Sequence, residues 1–327
     1  MPTGDDRTHV KIGVLSDIHL ERAHEAAILT ELDRALDRLD EFDPDRLVVL
    51  GDLIEDEGRE ADREHVRAVR AALDSLSVPV TYLLGNHDVE HLPHADLRDL
   101  LDADRFHGRI EGTDLFYLDS SAPERSGAQG AVSEAQLAVL DRELADAEGA
   151  VVFVHHPLGY RDLGDNHWFA SEPERAFCGN KREVNDVLAR HDVAAVVNGH
   201  VHETAHVRHR GVHHLTVNAF AKERRDRPVS GTYAELTVDD GLTTADAAFH
   251  IYHELDAATA GQSLTVGSFG FLVKGNVEET TRTKAARLTG LSYGGSGDYE
   301  AVAAVRIPDD RGNTFKSRTL EHPAHAE

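Results

Sequence analysis

Leu47-Val48-Val49-Leu50-Gly51-Asp52-Leu53 is a short apolar run that stops at Gly-Asp. It reads as a buried strand that delivers one carboxylate, Asp52, to its C-terminal edge, where open α/β sheets hold their ligands. Four other strand-like runs end the same way. Val10 to Ser16 leads into Asp17-Ile18-His19, and Val80 to Leu84 into Gly85-Asn86-His87-Asp88. Ala150 to Val154 leads into His155-His156-Pro157, and Val193 to Val197 into Asn198-Gly199-His200-Val201-His202. Gly-Asp and His-His-Pro are common by themselves; five strand ends carrying polar ligands in order are not an accident of composition.

Between these ends the chain alternates. Ile28, Leu32, Ala35, Leu36 and Leu39 mark one face of a helix over Ala26 to Phe42, closed by Asp43-Pro44, and a second helix is expected from Glu60 to Leu76. Strand, helix, strand, helix, strand is the grammar of right-handed parallel crossovers. Leu115 to Asp119 reads as a further strand, and Ser133 with Gln136 as the capping box of a helix that precedes the strand ending at His155. Residues 157 to 180 form a long loop with Trp168 and Phe169 near its middle, followed by a helix from Lys181 to Arg190. From Val207 the pattern shifts to short alternating runs, Val212 to Val217, Thr232 to Val238 and Ala247 to Tyr252, which read as antiparallel strands of the second sheet of a sandwich. Ser263 to Lys274, Arg287 to Tyr293 and Tyr299 to Ile307 suggest a small β-rich addition, and the end from Pro308 reads as frayed.

The ordered set Asp-x-His, Gly-Asp, Gly-Asn-His-Asp, His-His-Pro and Gly-His-x-His resembles the calcineurin-like metallophosphoesterase superfamily over roughly residues 8 to 250. The resemblance implies an α/β fold, a four-layer α/β/β/α sandwich, for the domain of residues 1–254; residues 255–327 lie beyond it and are read from their pattern as a β-rich appendage and polar tail. It implies two divalent metal ions, one held by Asp17, His19, Asp52 and His202, the other by Asp52, Asn86, His155 and His200. Asp52 then bridges the pair. Mixed oxygen and nitrogen ligands without thiolate suit Mn, Fe, Zn or Co, with Mn first. Two metals about 3.5–4 Å apart activate a bridging hydroxide and clamp a phosphoryl group for in-line attack. By the same resemblance His87 points at the phosphate as a proton donor or hydrogen-bonding group, with Asp88 placed to orient it. His156 is balanced between a supporting hydrogen bond and no role. Isolated histidines such as His65, His191 and His253 are read as ordinary surface residues.

Composition narrows the partners. The 327 residues carry a formal net charge of -25, with six Lys against 28 Arg. Such acidity opposes nucleic-acid binding, although acidic, Lys-poor surfaces also resemble those of salt-in halophiles. Cys178 is the only cysteine, so no intramolecular disulfide forms, and it is read as a small buried hydrophobe. Met1 to Arg7 is acidic and polar, and no window is apolar for long enough to span a membrane, so a cytoplasmic protein is expected.

The expected reaction is hydrolysis of a phosphodiester, diphosphate or phosphomonoester, with a small nucleotide as first choice. The loop pattern is similar to the cyclic-nucleotide phosphodiesterase branch of the superfamily. Gly211 to Val217 with Gly231-Thr232 is similar to the Mn-dependent ADP-ribose and CDP-alcohol diphosphatase branch. Two rival readings are a DNA nuclease of the same superfamily, which calls for a basic groove, and a non-catalytic metal-binding scaffold, which the intact ligand set opposes. Trp168 and Phe169 offer a stacking wall for a base or, more commonly for loop aromatics, pack on their own domain. Oligomeric state is left open.

Overall fold

The computed structural model describes residues 9–101, 106–122, 128–159, 163–164, 166–224 and 227–239, and four short strands beyond residue 262. In chain order these form β1 (His9–Leu15), α1 (Glu25–Phe42), β2 (Arg46–Val49), α2 (Arg59–Leu73), β3 (Val80–Tyr82), α3 (Asn86–Val89) and α4 (His94–Leu101). The middle adds β4 (His107–Ile110), β5 (Thr113–Leu118), α5 (Glu134–Glu143), β6 (Ala150–Val154), α6 (Lys181–Leu188) and β7 (Val193–Asn198). Then come β8 (Ala205–His209), β9 (Val212–Thr216), β10 (Ala221–Arg224), β11 (Arg227–Val229) and β12 (Tyr233–Asp239). The last four strands are β13 (Ser263–Leu264), β14 (Gly270–Lys274), β15 (Tyr299–Glu300) and β16 (Val305–Arg306).

Two mixed sheets face each other, a five-stranded one in the order β14-β12-β1-β2-β3 and a seven-stranded one in the order β15-β8-β9-β7-β6-β5-β4. Strands with apolar residues on both faces need cover on both faces. Val10, Ile12, Val14, Val48 and Leu50 of the first sheet meet Leu115, Tyr117, Val151, Phe153, Val197 and Leu215 of the second in the central core. The alternate residues Leu47 and Val49 turn the other way, onto Leu32, Leu36 and Leu39 of α1 and Val66 and Val69 of α2. On the far side, Val152, Val154 and Val196 pack on Leu140 of α5 and Val184 and Leu188 of α6. Three cores separate four layers, the expected α/β/β/α sandwich.

The later strands divide differently from the simplest reading of their periodicity. β12 runs antiparallel to β1 in the first sheet, whereas β9 lies parallel to β7 and antiparallel to β8 in the second. Beyond residue 255, β14 pairs with β12 and β15 with β8, at the outer edges of the two sheets. At α5 the Ser133 hydroxyl accepts the Gln136 N–H as expected. The Gln136 side chain does not complete the box; it donates to the Asp119 carbonyl at 2.8 Å and accepts the Asp119 N–H at 2.9 Å, joining the helix start to the end of β5. Ala247 to Tyr252, Arg287 to Tyr293, His253 and the end from Pro308 lie outside the described residues.

Candidate metal centre

β1, β2 and β3 of one sheet and β6 and β7 of the other end at the same edge of the sandwich, and their following residues converge there. Each strand end must turn at once to aim its side chain inward. Asp17, His19, Asp52, His200 and His202 do so with φ of 52°, 44°, 50°, 71° and 51°, in the left-handed region. Residues other than glycine rarely adopt that conformation, and it gathers at functional sites. The backbones are tied across the sheet edge: Asp17 N–H donates to the Gly51 carbonyl and His19 N–H to the Asp52 carbonyl, both at 3.0 Å.

Overlapping donor groups result. Asp17, His19 and His202 form the first, with His19 Nε2 3.0 Å from His202 Nε2 and His202 Nε2 3.4 Å from Asp17 Oδ1. Asp17, Asp52 and His155 form another, and His155 stands also with His156 and His200. Asp52 lies between them, its Oδ2 3.2 Å from His155 Nε2 and 3.9 Å from His19 Nε2. All are buried. Asn86 Oδ1 is buried too and has no hydrogen-bond partner.

Each of the four histidines has an oxygen against its other ring nitrogen, as a hydrogen bond in His155, His200 and His202. His155 Nδ1 donates to the Leu50 carbonyl at 3.0 Å, His202 Nδ1 to the Lys222 carbonyl at 2.8 Å, and His200 Nε2 to the Arg175 carbonyl at 3.3 Å. His19 Nδ1 lies 3.0 Å from Glu55 Oε2, a close contact off the ideal hydrogen-bond line. A carbonyl can only accept, so it fixes the tautomer and leaves a lone pair on the nitrogen facing inward; metal-binding histidines are held this way. The Nε2 atoms of His19 and His202 stand 3.0 Å apart, and the Asn86 oxygen lacks a donor. Cations in the two halves of the centre would supply what these atoms lack, so the residues fit divalent metals.

His87 and Asp88 divide the work differently from the expectation that one orients the other. The Asp88 carboxylate accepts the N–H groups of Gly85, Asp52 and Leu53 at 2.8, 2.9 and 2.9 Å, pinning the two strand ends together. The partner of His87 Nδ1 is Asp56, at 2.7 Å. The His87 ring stands edge-on to His19, with centroids 4.8 Å apart, and is 29% exposed. It is thus the histidine of this cluster that reaches outward.

Charge follows geometry. Burial pushes the Asp17 and Asp52 carboxyls up, but the neighbouring histidines outweigh it: the hydrogen bond and charge of His202 for Asp17, the charges of His155 and His87 for Asp52. Both are held below the usual range. Burial opposes protonation of His155 and His87, yet Asp52 raises the first to about 9, and Asp52 with Asp56 raises the second to about 10. Burial and the charge of His155 push His200 down to about 3.

Several surroundings were not anticipated. Glu55 and Asp56 sit in the loop after Asp52, and an acid pair so close to a ligand was the available signal. Lys222 bridges Glu55 and Glu21; as one of six lysines in an Arg-biased chain it stood out only by rarity. His156 has both ring nitrogens engaged, with Ser120 Oγ at 2.8 Å and the Ala128 carbonyl at 3.0 Å. Trp168 packs edge-on to His202 and Phe169 tilts against His200, so the loop aromatics rim the centre. His65 is buried on α2 rather than exposed, because it lies on the face that packs inward, and His191 bonds Asp141 at 2.6 Å. Cys178 is buried, with Asn180 Oδ1 3.2 Å away. No helix among the described residues is long and apolar enough to cross a membrane.

Known proteins place the chain. A family model described as calcineurin-like phosphoesterase matches residues 10–204, more than half of the 327. No curated protein matches. Among solved structures, a dimetal phosphatase from Danio rerio is 16% identical, aligned over 82% of this chain and 99% of its own, with a TM-score of 0.57. Phosphopantetheinyl hydrolase from Mycobacterium tuberculosis is 15% identical over 65% and 90%, with a TM-score of 0.41. The anchor in the inner membrane complex of Plasmodium is 10% identical over 71% and 82%, with a TM-score of 0.48.

Proposed function

The chain belongs to the calcineurin-like phosphoesterase family, and is thus a metal-dependent phosphoric ester hydrolase; we propose that it hydrolyses a phosphodiester or diphosphate bond of a small nucleotide. In this reading Asp17, His19, Asp52 and His202 hold one divalent metal, and Asp52, Asn86, His155 and His200 the other, with Mn first. The observation that carries it is the convergence of four histidines, each with an oxygen against its other ring nitrogen, together with the buried, unpartnered Asn86 Oδ1 after β3. Bound metals supply an activated water and neutralise charge on the phosphoryl oxygens. The protein's own groups do the rest. Asp52 links the two halves of the centre. His87, held at Nδ1 by Asp56 and partly exposed, would donate a proton to the leaving oxygen. Asp88 keeps the two strand ends in register through three N–H groups. The half-buried Trp168 beside His202 favours a substrate bearing a flat base, and the net charge of -25 disfavours a polyanion.

The test is hydrolysis, in molar KCl with Mn²⁺, of a chromogenic monoester, a chromogenic diester, cyclic AMP, ADP-ribose and single-stranded DNA. Turnover of a nucleotide substrate is expected to fall by at least about a hundredfold in Asp52→Asn. Turnover of single-stranded DNA alone would overturn the substrate, and equal turnover in the variant would overturn the site.

A further inference from the structure

We propose that Lys222 is a positioning residue for the first metal, acting on two of its histidine ligands at once; the proposal rests on the two-metal reading above. Lys222 follows a stretch laid against the end of β1: Phe220 N–H donates to the Ser16 carbonyl at 2.9 Å and Ala221 N–H to the Asp17 carbonyl at 3.0 Å. Lys222 itself has a φ of 56°, in the left-handed region. From there its carbonyl accepts His202 Nδ1–H at 2.8 Å and Trp168 Nε1–H at 3.1 Å. Its ammonium lies 2.8 Å from Glu55 Oε1 and 3.0 Å from Glu21 Oε2. The other oxygen of Glu55 faces His19 Nδ1 at 3.0 Å. One residue therefore stands behind the Nδ1 of both histidines whose Nε2 atoms meet 3.0 Å apart, through its main chain for His202 and through Glu55 for His19.

The side chain has a specific task. Glu55 Oε2 also lies 3.8 Å from His87 Nδ1, whose hydrogen bond goes to Asp56. The ammonium on Oε1 fixes the carboxylate so that Oε2 stays on His19. Lys222, Glu55 and Glu21 are 21%, 23% and 14% exposed, mostly out of water, so losing one partner leaves a poorly solvated charge behind. Supporting residues of this kind govern metal affinity about 10- to 100-fold when removed.

The experiment is calorimetric titration of the metal-stripped full chain with Mn²⁺, with near-UV circular dichroism recorded for each variant. Wild type is expected to take up two equivalents. Lys222→Met is expected to weaken one of them about 10- to 100-fold and leave the other unchanged. Lys222→Arg restores part of the loss. Lys222→Met combined with Glu55→Gln binds no more weakly than Glu55→Gln alone. Unchanged affinity at both sites in Lys222→Met would overturn the relay while the two-metal reading stands, and so would equal weakening of both in a folded variant. Fewer than two equivalents in wild type would overturn that reading and the relay with it. Should Lys222→Met lose its native dichroism, Glu55→Gln is judged by the same criterion.

Discussion

Glycines before the ligand positions keep the centre compact. A Cβ on Gly199 would fall inside contact distance of Ser16 Oγ and Asp17 Oδ2, and one on Gly85 would meet the Asp52 carboxylate. Gly199→Ala is therefore expected to displace Asp17, lowering activity at least about tenfold and stability by about 1–3 kcal/mol; kinetics and urea denaturation check it. Asp88→Asn is expected to lose about 1–3 kcal/mol, because an amide offers one fewer acceptor oxygen to the N–H groups of Gly85, Asp52 and Leu53. An unchanged denaturation midpoint would refute that. At this scale the strand-end punctuation was legible: the proposed ligands Asp17, His19, Asp52, Asn86, His155, His200 and His202 all follow strands that end at one edge. The left-handed turns, the tautomers and the partners behind the histidines were not legible. They depend on contacts such as Glu55 with Lys222, 167 residues apart in the chain and close only in space.

Secondary elements were legible where burial dictated their pattern. Strands covered on both faces announced themselves as unbroken apolar runs, and α1 by its spacing. The placement of β9 and β12 in different sheets was not, since alternation says which residues are buried but not which strand lies alongside. β9 also carries a pH-sensitive group. His214 is buried with neither ring nitrogen hydrogen-bonded, and burial, then the charges of His209 and His206, push it from the ordinary 6.5 down to about 3. The unfolded chain binds a proton there below pH about 6.5 and the folded chain does not. Its contribution to stability is thus present above pH about 6.5 and lost as pH falls toward about 3, by about 3–5 kcal/mol over the full range. His214→Leu is expected to flatten this part of the stability profile, measured by urea denaturation at pH 7 and pH 5; an unchanged slope would contradict the assignment. We further propose that residues 255–327 are an appendage to the metal-binding unit. Truncation after residue 254 removes β14 from the edge beside β12, so a lower melting temperature is expected with both metals retained. Loss of both metals in a folded truncated chain would sink that division.

Across the whole molecule, a net charge of -25 repels itself in dilute buffer. Screening shortens the range of that repulsion from about 30 Å at 0.01 M salt to about 3 Å at 1 M. We propose a salt-adapted protein, and the melting temperature is expected to rise between those salt concentrations; a fall would mean that attractive pairs outweigh the excess charge. The sandwich itself brings strand ends from two sheets to one edge, and Asp52 is where they meet. The most direct measurement of that claim is anomalous diffraction from crystals grown with Mn²⁺. Two peaks about 3.5–4 Å apart are expected on either side of Asp52, one beside Asp17, His19 and His202, the other beside Asn86, His155 and His200. A single peak, or peaks away from Asp52, would contradict the account.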